Sequence, residues 1–388
     1  MSRQIKLYYL VRFLTSLHFM SAVLIPFFTQ WGGINQFQIQ LLQSWFAIWV
    51  VILEVPTGFV ADRYGRKFSM TLGSALFAIG MTIYSLFPNI WLFMLAEFTL
   101  ALGLALISGA DEAWLYEALK AEGHQDQMKQ VTGKVQAISM FALSFAAILG
   151  GPIASSFGLN APQLFTASAW FLALLVMVKL PEYKNGQSEI RSAKQTIVES
   201  IRLFNSHSKL RRLSLNLVLV AAAAYFVIWL YQPLLSQIGI PIKYFGLFHA
   251  GTVAIEMLLS YNFITLEKLV GSASKYLWLT AVLVMLGFVA GGLLPGSIGV
   301  VLFLVLAGSF GLTRVYFATS HFHELVPSAN RATMRSVLSM YIRLATAIAN
   351  PIVGFLATKS LNLTLVLIAL LPAIVLLVPN LRSPLRDD

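Results

Sequence analysis

Twelve apolar segments of about twenty residues, parted by short stretches that hold most of the charge, leave this chain few folds to choose from. In lipid every backbone polar group must be satisfied internally, so only helices and closed barrels can span a bilayer. Barrel strands would read as alternating segments of about 10 residues with a polar lumen face. The runs here are about twice that length and apolar on most faces. With 58% hydrophobic and only 11% charged residues, and a mean hydropathy of +0.76, the chain reads as an all-α polytopic membrane protein. The predicted spans fall at 8–29, 39–61, 69–87, 90–118, 132–156, 162–180, 212–236, 244–266, 275–294, 298–325, 332–358 and 361–379. The opening "MSRQIK" and its apolar run mimic a secretory signal, but Arg12 interrupts the run and no small-residue cleavage site follows, so it is read as the first span.

Lys and Arg fix the expected orientation. Of the 27 in the chain, 22 fall on one set of loops and the termini, Lys243 and Lys359 fall on the other set, and Arg12, Arg314 and Arg343 lie within spans. The positive-inside rule makes the basic set, with both termini, cytoplasmic. The net charge of +11 is then read as loops facing anionic lipid, and no nucleic-acid motif competes with that reading. In a bacterial setting this is a multi-pass protein of the cytoplasmic (inner) membrane. There is no cysteine, which excludes disulfides and thiolate chemistry.

Six spans precede residue 181 and six follow 211, predicting an N-terminal bundle over 1–180, a cytoplasmic linker over 181–211 and a C-terminal bundle over 212–388. In the linker Ile190, Ala193, Ile197, Ile201 and Phe204 recur at three- and four-residue spacing, the pattern of a helix lying on the membrane surface; a flexible solvated linker is the alternative. The halves echo each other: "GGPIASSFG" in span five and "ANPIVGFLA" in span eleven place Pro152 and Pro351 at matching points. The loop after span eight, "NFITLEKLVGSASK", is a weakened counterpart of the loop after span two. Two pseudo-symmetric six-helix repeats are the simplest account.

The strongest local signal is "GFVADRYGRK" between spans two and three, where Asp62, Arg63, Arg66 and Lys67 put four charges within six positions. Twelve spans in two halves, a long central link and this G-x-x-x-D-R-x-G-R-K stretch (Gly58, Asp62, Arg63, Gly65, Arg66, Lys67) together resemble the major facilitator superfamily. "SGADEAWLYEAL" and "ELVPSANRATMRS" resemble a group of bacterial facilitators of diverse or unassigned substrates. The marks of drug-proton antiporters are met in part. Thr99 stands where they carry an Arg four residues before Gly103, with Glu97 close by, and Ala147, Gly151, Pro152 and Ser155 match their fifth-span signature incompletely.

The resemblance implies a gating latch. Asp62 would lie by the cytoplasmic start of span eleven, attracted by the helix dipole and by Arg331 or Arg335, and Arg66 would reach an acid at the end of span four, for which Glu117 is the candidate. A merely positive-inside anchor is the alternative, though an anchor does not need the acid.

Intramembrane charge is the second signal, because each such group costs about 3 kcal/mol at a helix centre and normally faces a bundle interior or a cavity. The candidates are His18, Glu54, Glu97, Asp111, Glu112, His249, Glu256, Arg314 and Arg343. Spans one, four, seven and ten line the cavity in the resembled superfamily, which singles out His18, Glu97, Asp111, Glu112 and Arg314. Asp111 and Glu112 lie about 100° apart on a helix. Glu112 shares its face with Ser108, Gly109 and Tyr116 and is the cavity candidate for carrying a proton, while Asp111 is the candidate for an interhelical bond; a fixed salt bridge of Glu112 to Arg314 or another base is the competing reading. Arg314 is equally a carboxylate hook or a neutraliser of Asp111 or Glu112. Tyr116, Phe19, Trp229 and Tyr231 are candidate substrate contacts. Glu54, Arg343 and Glu256 are assigned to the interface of the halves, with Glu256 a possible partner of Lys134.

"HFHE" at 321–324 puts only His321 and Glu324 on one face, and neither H-E-x-x-H nor a phosphate-cradling Gly-rich loop occurs, so no metal, cofactor or enzymatic role is assigned. The expected function is a proton-coupled secondary transporter of a small amphiphilic molecule working by alternating access, leaning to efflux, and monomeric. The alternatives are a proton-symport importer of a metabolite or metal chelate, and a lipid translocase or non-transporting membrane partner.

Overall fold

The computed structural model describes residues 2–183, 208–325 and 331–378, and among these residues there is helix and no strand. Among the described residues nine helices are long and apolar enough to cross a membrane. A bent pair, Arg3–Ala22 with Leu24–Trp31, adds a tenth crossing if counted as one, and Ala161–Met177 and Leu361–Leu377 are shorter apolar helices. Each predicted span overlaps one of these. The part of the linker with the predicted amphipathic pattern lies outside the described residues, as do the side chains of His323, Glu324, Arg331 and Arg335.

The chain divides into two compact units, Met1–Glu189 with Pro241–Ala250, and Ile190–Ile240 with Gly251–Asp388. The first unit contains α1 (Arg3–Thr15), α2 (Leu24–Trp31), α3 (Gln36–Tyr64), α4 (Arg66–Leu86), α5 (Ile90–Ile107), α6 (Ala110–Ala121), α7 (Met128–Phe157) and α8 (Ala161–Met177). Helix α4 packs on α5 and α8, and α3 on α5. The start of α3 is set locally: Asn35 accepts from the Gln38 backbone N–H at 3.0 Å, and the Gln38 side chain accepts from the Asn35 N–H at 3.0 Å, a reciprocal cap. One core forms around the fully buried Trp114 with Ile5, Tyr8, Val11, Met70 and Met177.

The second unit contains α9 (Ser208–Gln237), most of α10 (Phe245–Tyr261), α11 (Phe263–Val270), α12 (Ala273–Leu293), α13 (Gly296–Leu302), α14 (Phe310–Leu325), α15 (Arg331–Lys359), α16 (Leu361–Ile368) and α17 (Leu370–Leu377). A π-helical turn, Phe303–Ser309, joins α13 to α14. Helix α12 packs on this turn and on α16, and α9 on α14 and α15. Leu213, Leu217, Leu277 and Phe317 are in its core. In both units large apolar side chains point outward, among them Ile79, Phe141, Phe171, Ile348 and Leu363, each more than half exposed. Such surface suits hydrocarbon and not water.

Two breaks within predicted spans bear on the site. Span one breaks after α1: the chain passes through a short 3₁₀ turn, Phe19–Ala22, restarts at Leu24, and bends by 64°. Ser21 Oγ donates to the His18 carbonyl at 2.7 Å, a local bond that competes with helix continuation. Pro26, in the first turn of α2, has no N–H to satisfy. Span four breaks at Ser108–Gly109, with Gly109 at φ +79°. The break makes Asp111 and Glu112 the first-turn acids of α6, where the helix dipole favours negative charge.

The entry to predicted span eight, Pro241–Ala250, packs with the first unit. Glycine permits this. A Cβ on Gly246 would overlap the Ala147 carbonyl, and one on Gly151 would meet the Lys243 carbonyl oxygen at 2.5 Å; beside them, a Cβ on Gly150 would overlap the Phe19 carbonyl of span one. Backbones at this separation leave no room for any other residue type.

Candidate functional site

The signature loop is built around Gly65, which ends α3 and precedes α4 with φ +102° and ψ 154°, a conformation essentially confined to glycine. A Cβ there would also lie 2.5 Å from the Glu182 carboxylate. That carboxylate accepts from the backbone N–H groups of Lys67 and Phe68, each at 3.2 Å, and so caps the free N-terminus of α4 with charge of the favourable sign. The next residue, Arg66, turns to α6: its Nη1 lies 2.9 Å from Glu117 Oε1 and donates to the Ala113 carbonyl at 2.9 Å. Both side chains are about one-fifth exposed, so the pair is partly desolvated. Asp62, Arg63 and Gly58 are exposed, and the Arg63 guanidinium lies 5.9 Å from the Phe59 ring and 5.7 Å from Tyr64. Asp62 forms no ion pair among the described residues, and its expected partners Arg331 and Arg335 have side chains outside them.

Nearly two turns before Glu117, Asp111 binds α1. Arg12 Nη1 reaches its Oδ2 at 2.7 Å, and the Tyr8 hydroxyl donates to its Oδ1 at 2.5 Å. Tyr8 stacks on Trp114 with centroids 5.3 Å apart, and Trp114 Nε1 donates to the Pro181 carbonyl at 3.0 Å. Thus α6 is bound to α1 by one ion pair and to α4 by another. Glu112, rotated by about 100°, is exposed, as is Tyr116 one turn on. The two adjacent acids have separate environments, one committed to Arg12 and Tyr8 and the other on the open face of α6.

Among the described residues three charged side chains are buried: Glu97, Glu256 and Arg314. Glu97 accepts from Gln43 Nε2 at 2.6 Å, an α5–α3 bond inside the first unit. Arg314 is 1% exposed and donates to the Leu277 carbonyl, Thr280 Oγ1 and Asn216 Oδ1, tying α14 to α12 and α9. Its hydrogen-bond partners are neutral groups of the second unit, whereas Asp111 is paired with Arg12. Glu256 is 8% exposed on α10. His18 sits at the break in span one, edge-on to Phe77 and Trp170 with centroids 6.2 Å away in each case.

Of the candidate substrate contacts, Phe19 packs on Phe165 at 5.8 Å, and Trp229 and Tyr231 are buried in the second unit. Tyr116 alone among them is exposed. Glu54 and Arg343 are half-buried. His321 Nε2 lies 3.3 Å from Glu267 Oε2, and no group of three potential metal ligands occurs among the described residues. Sequence reasoning gave no role to Tyr8, Gln43, Glu182 or Gly246. The one usable hint was Arg12, a base inside a span that required an acid nearby.

The Major Facilitator Superfamily profile matches residues 8–349. The uncharacterized MFS-type transporter YxaM of Bacillus subtilis (strain 168) is 25% identical over 380 residues, covering 90% of this chain and 88% of that protein. The uncharacterized transporter BU466 of Buchnera aphidicola (subsp. Acyrthosiphon pisum, strain APS) is 27% identical over 206 residues, spanning 50% of this chain and about half (47%) of its relative. Among solved structures, the nucleoside transporter NupG superposes with a TM-score of 0.80 at 14% identity, covering 96% of this chain and 97% of that one. The POT family transporter PepTSo gives 0.73 at 14% identity, covering 96% of each. With this profile match over most of its length, its multi-pass helical architecture and these relatives, the chain is a membrane transporter and belongs to the Major Facilitator Superfamily.

Proposed function

We propose that this transporter is a proton-coupled exporter of a small amphiphilic molecule, working by alternating access in the cytoplasmic membrane with both termini inside. The observation that carries the reading is the division of labour on α6. Asp111 is consumed by Arg12 and Tyr8, while Glu112 stays on the exposed face beside Tyr116. A carboxyl on a membrane helix that borders an intermittently wet path is the group type that exchanges a proton between sides.

Alternating access needs contacts that can be made and broken at both ends. At the end assigned to the cytoplasm by the Lys and Arg count, the Arg66–Glu117 pair anchors the signature loop. At the opposite end, Gly151 and Gly246 bring α7 and the entry to span eight into close backbone contact. Efflux rests on the partial fifth-span signature that contains Gly151 and Pro152.

The test is transport by purified protein in liposomes. Ligands that raise the thermal midpoint are followed under imposed pH gradients, in the wild type and in Glu112→Gln. Gradient-driven movement in the wild type that is lost in E112Q supports the reading. Equal gradient-driven movement in both removes Glu112 as the carrier.

A further inference from the structure

The second unit holds a buried carboxyl for which neither the fold nor the proposed Glu112 chemistry provides a use. Glu256 lies in the C-terminal half of α10, only 8% exposed, and forms no hydrogen bond or ion pair among the described residues. The other two buried charges are both hydrogen-bonded, Glu97 to Gln43 and Arg314 to three acceptors. An ionised carboxylate left alone in a low-dielectric interior costs several kcal/mol, and such a group resolves the cost by taking up a proton.

Its surroundings form a polar stripe on the buried face of an otherwise apolar helix. Thr252 and Ser260 stand one turn before and after Glu256, Thr252 is buried, and the Ser260 hydroxyl is sealed from solvent without a hydrogen-bond partner. The opposite face carries exposed Ala254, Leu258 and Tyr261. The helix thus buries its hydroxyls and carboxyl and shows its apolar side outward. The stripe meets span ten at the π-helical turn, where Ser309 Oγ donates to the Thr252 carbonyl at 3.2 Å. Such turns concentrate at working sites because they leave backbone groups out of register.

On the same face as Glu256, His249 stands two turns earlier, and span ten offers the Ser309 and Thr313 hydroxyls, with Arg314 turned to α9 and α12. The membrane part of α9, which meets the same π-helical turn through Val227, carries Tyr225 and Tyr231 and no acid or base.

We propose that Glu256 is a second proton-binding site of this transporter, a carboxyl on span eight that binds and releases a proton during the cycle beside the Thr252–Ser260 hydroxyl stripe. The proposal rests on the reading of the chain as proton-coupled.

The test uses the full chain in lipid nanodiscs and a hydrophobic carbodiimide, which modifies membrane-embedded carboxyls only when they are protonated, with adducts mapped by mass spectrometry. As a buried carboxyl, Glu256 is expected to take the label at about pH 6 and to lose it as the pH is raised through about 9, while Asp111 and Glu117, held in ion pairs, stay unlabelled. Glu256→Gln abolishes the adduct, and Glu256→Asp, which keeps the carboxyl, retains one and guards against loss of fold. Absence of label at Glu256 across the range overturns the proposal. So does a ligand driven by a pH gradient equally well by wild type and E256Q, which would leave the transport reading intact. If Glu256 labels as expected but the wild type moves no ligand under any gradient, the transport reading fails and the proton-binding site stands.

Discussion

Asp111 on α6 and Arg12 on α1 close an ion pair of 2.7 Å across 99 residues of sequence, and the Tyr8 hydroxyl completes the carboxylate's shell at 2.5 Å. Helix α6 is the half of span four that follows the break at Gly109, so this pair is one of two ion pairs, among the described residues, that hold a half-helix to its bundle. Removing one partner leaves a partly buried charge uncompensated. Asp111→Asn or Arg12→Gln is expected to cost about 3 kcal/mol, seen as a lower thermal midpoint by tryptophan fluorescence. Replacing both with apolar residues of similar size should recover most of the loss.

The second bond, Arg66 to Glu117, is the proposed latch. Glu117→Gln should favour the state open to the cytoplasm by about 1 kcal/mol, roughly fivefold in population. The chain has no cysteine, so a single cysteine at the exposed Tyr116 reports directly. A polar maleimide should label it severalfold faster in the E117Q background, and the charge reversal R66E with E117R should restore the slow rate. Equal rates in all backgrounds would make the pair structural only.

Gly65 carries two separable constraints, a backbone at φ +102° and the Glu182 carboxylate in the space of its absent Cβ. Gly65→Ala is expected to cost about 1–3 kcal/mol. Adding Glu182→Ala removes the clash but also the cap on α4, so the double variant should stay below wild type in chemical or thermal unfolding. Full rescue would show that the backbone conformation was not strained.

At the other end, Gly246→Val forces a side chain into the Ala147 carbonyl. Separating the two backbones should cost about 1–3 kcal/mol and raise labelling of a cysteine placed at Lys243. An unchanged midpoint and labelling rate would mean that the contact opens freely.

Much of this architecture was legible in the sequence because lipid imposes a blunt code. Apolar length located helices at every predicted span, and scarcity of charge made the Asp62–Lys67 loop and the acids of span four stand out. What stayed hidden depends on register and on distance along the chain. The breaks at His18 and Gly109 fall inside stretches whose length and overall apolarity read as single spans. Arg12 and Asp111 are each visible as costly intramembrane charges, but nothing local says that they meet; Arg314, the other base considered for Asp111, is enclosed by Asn216, Thr280 and Leu277. Glu182 lies beyond the signature it caps, 115 residues from Lys67. Gly246 has no neighbouring motif to mark it as the counterpart of the span-five glycines.

The most direct measurement is ligand flux in proteoliposomes under an imposed pH gradient with and without a protonophore. The account predicts that a ligand which stabilises the purified protein moves uphill while the gradient lasts, stops when the protonophore collapses it, and fails to move uphill in Glu112→Gln. Flux in the wild type that ignores both the gradient and the protonophore would contradict it.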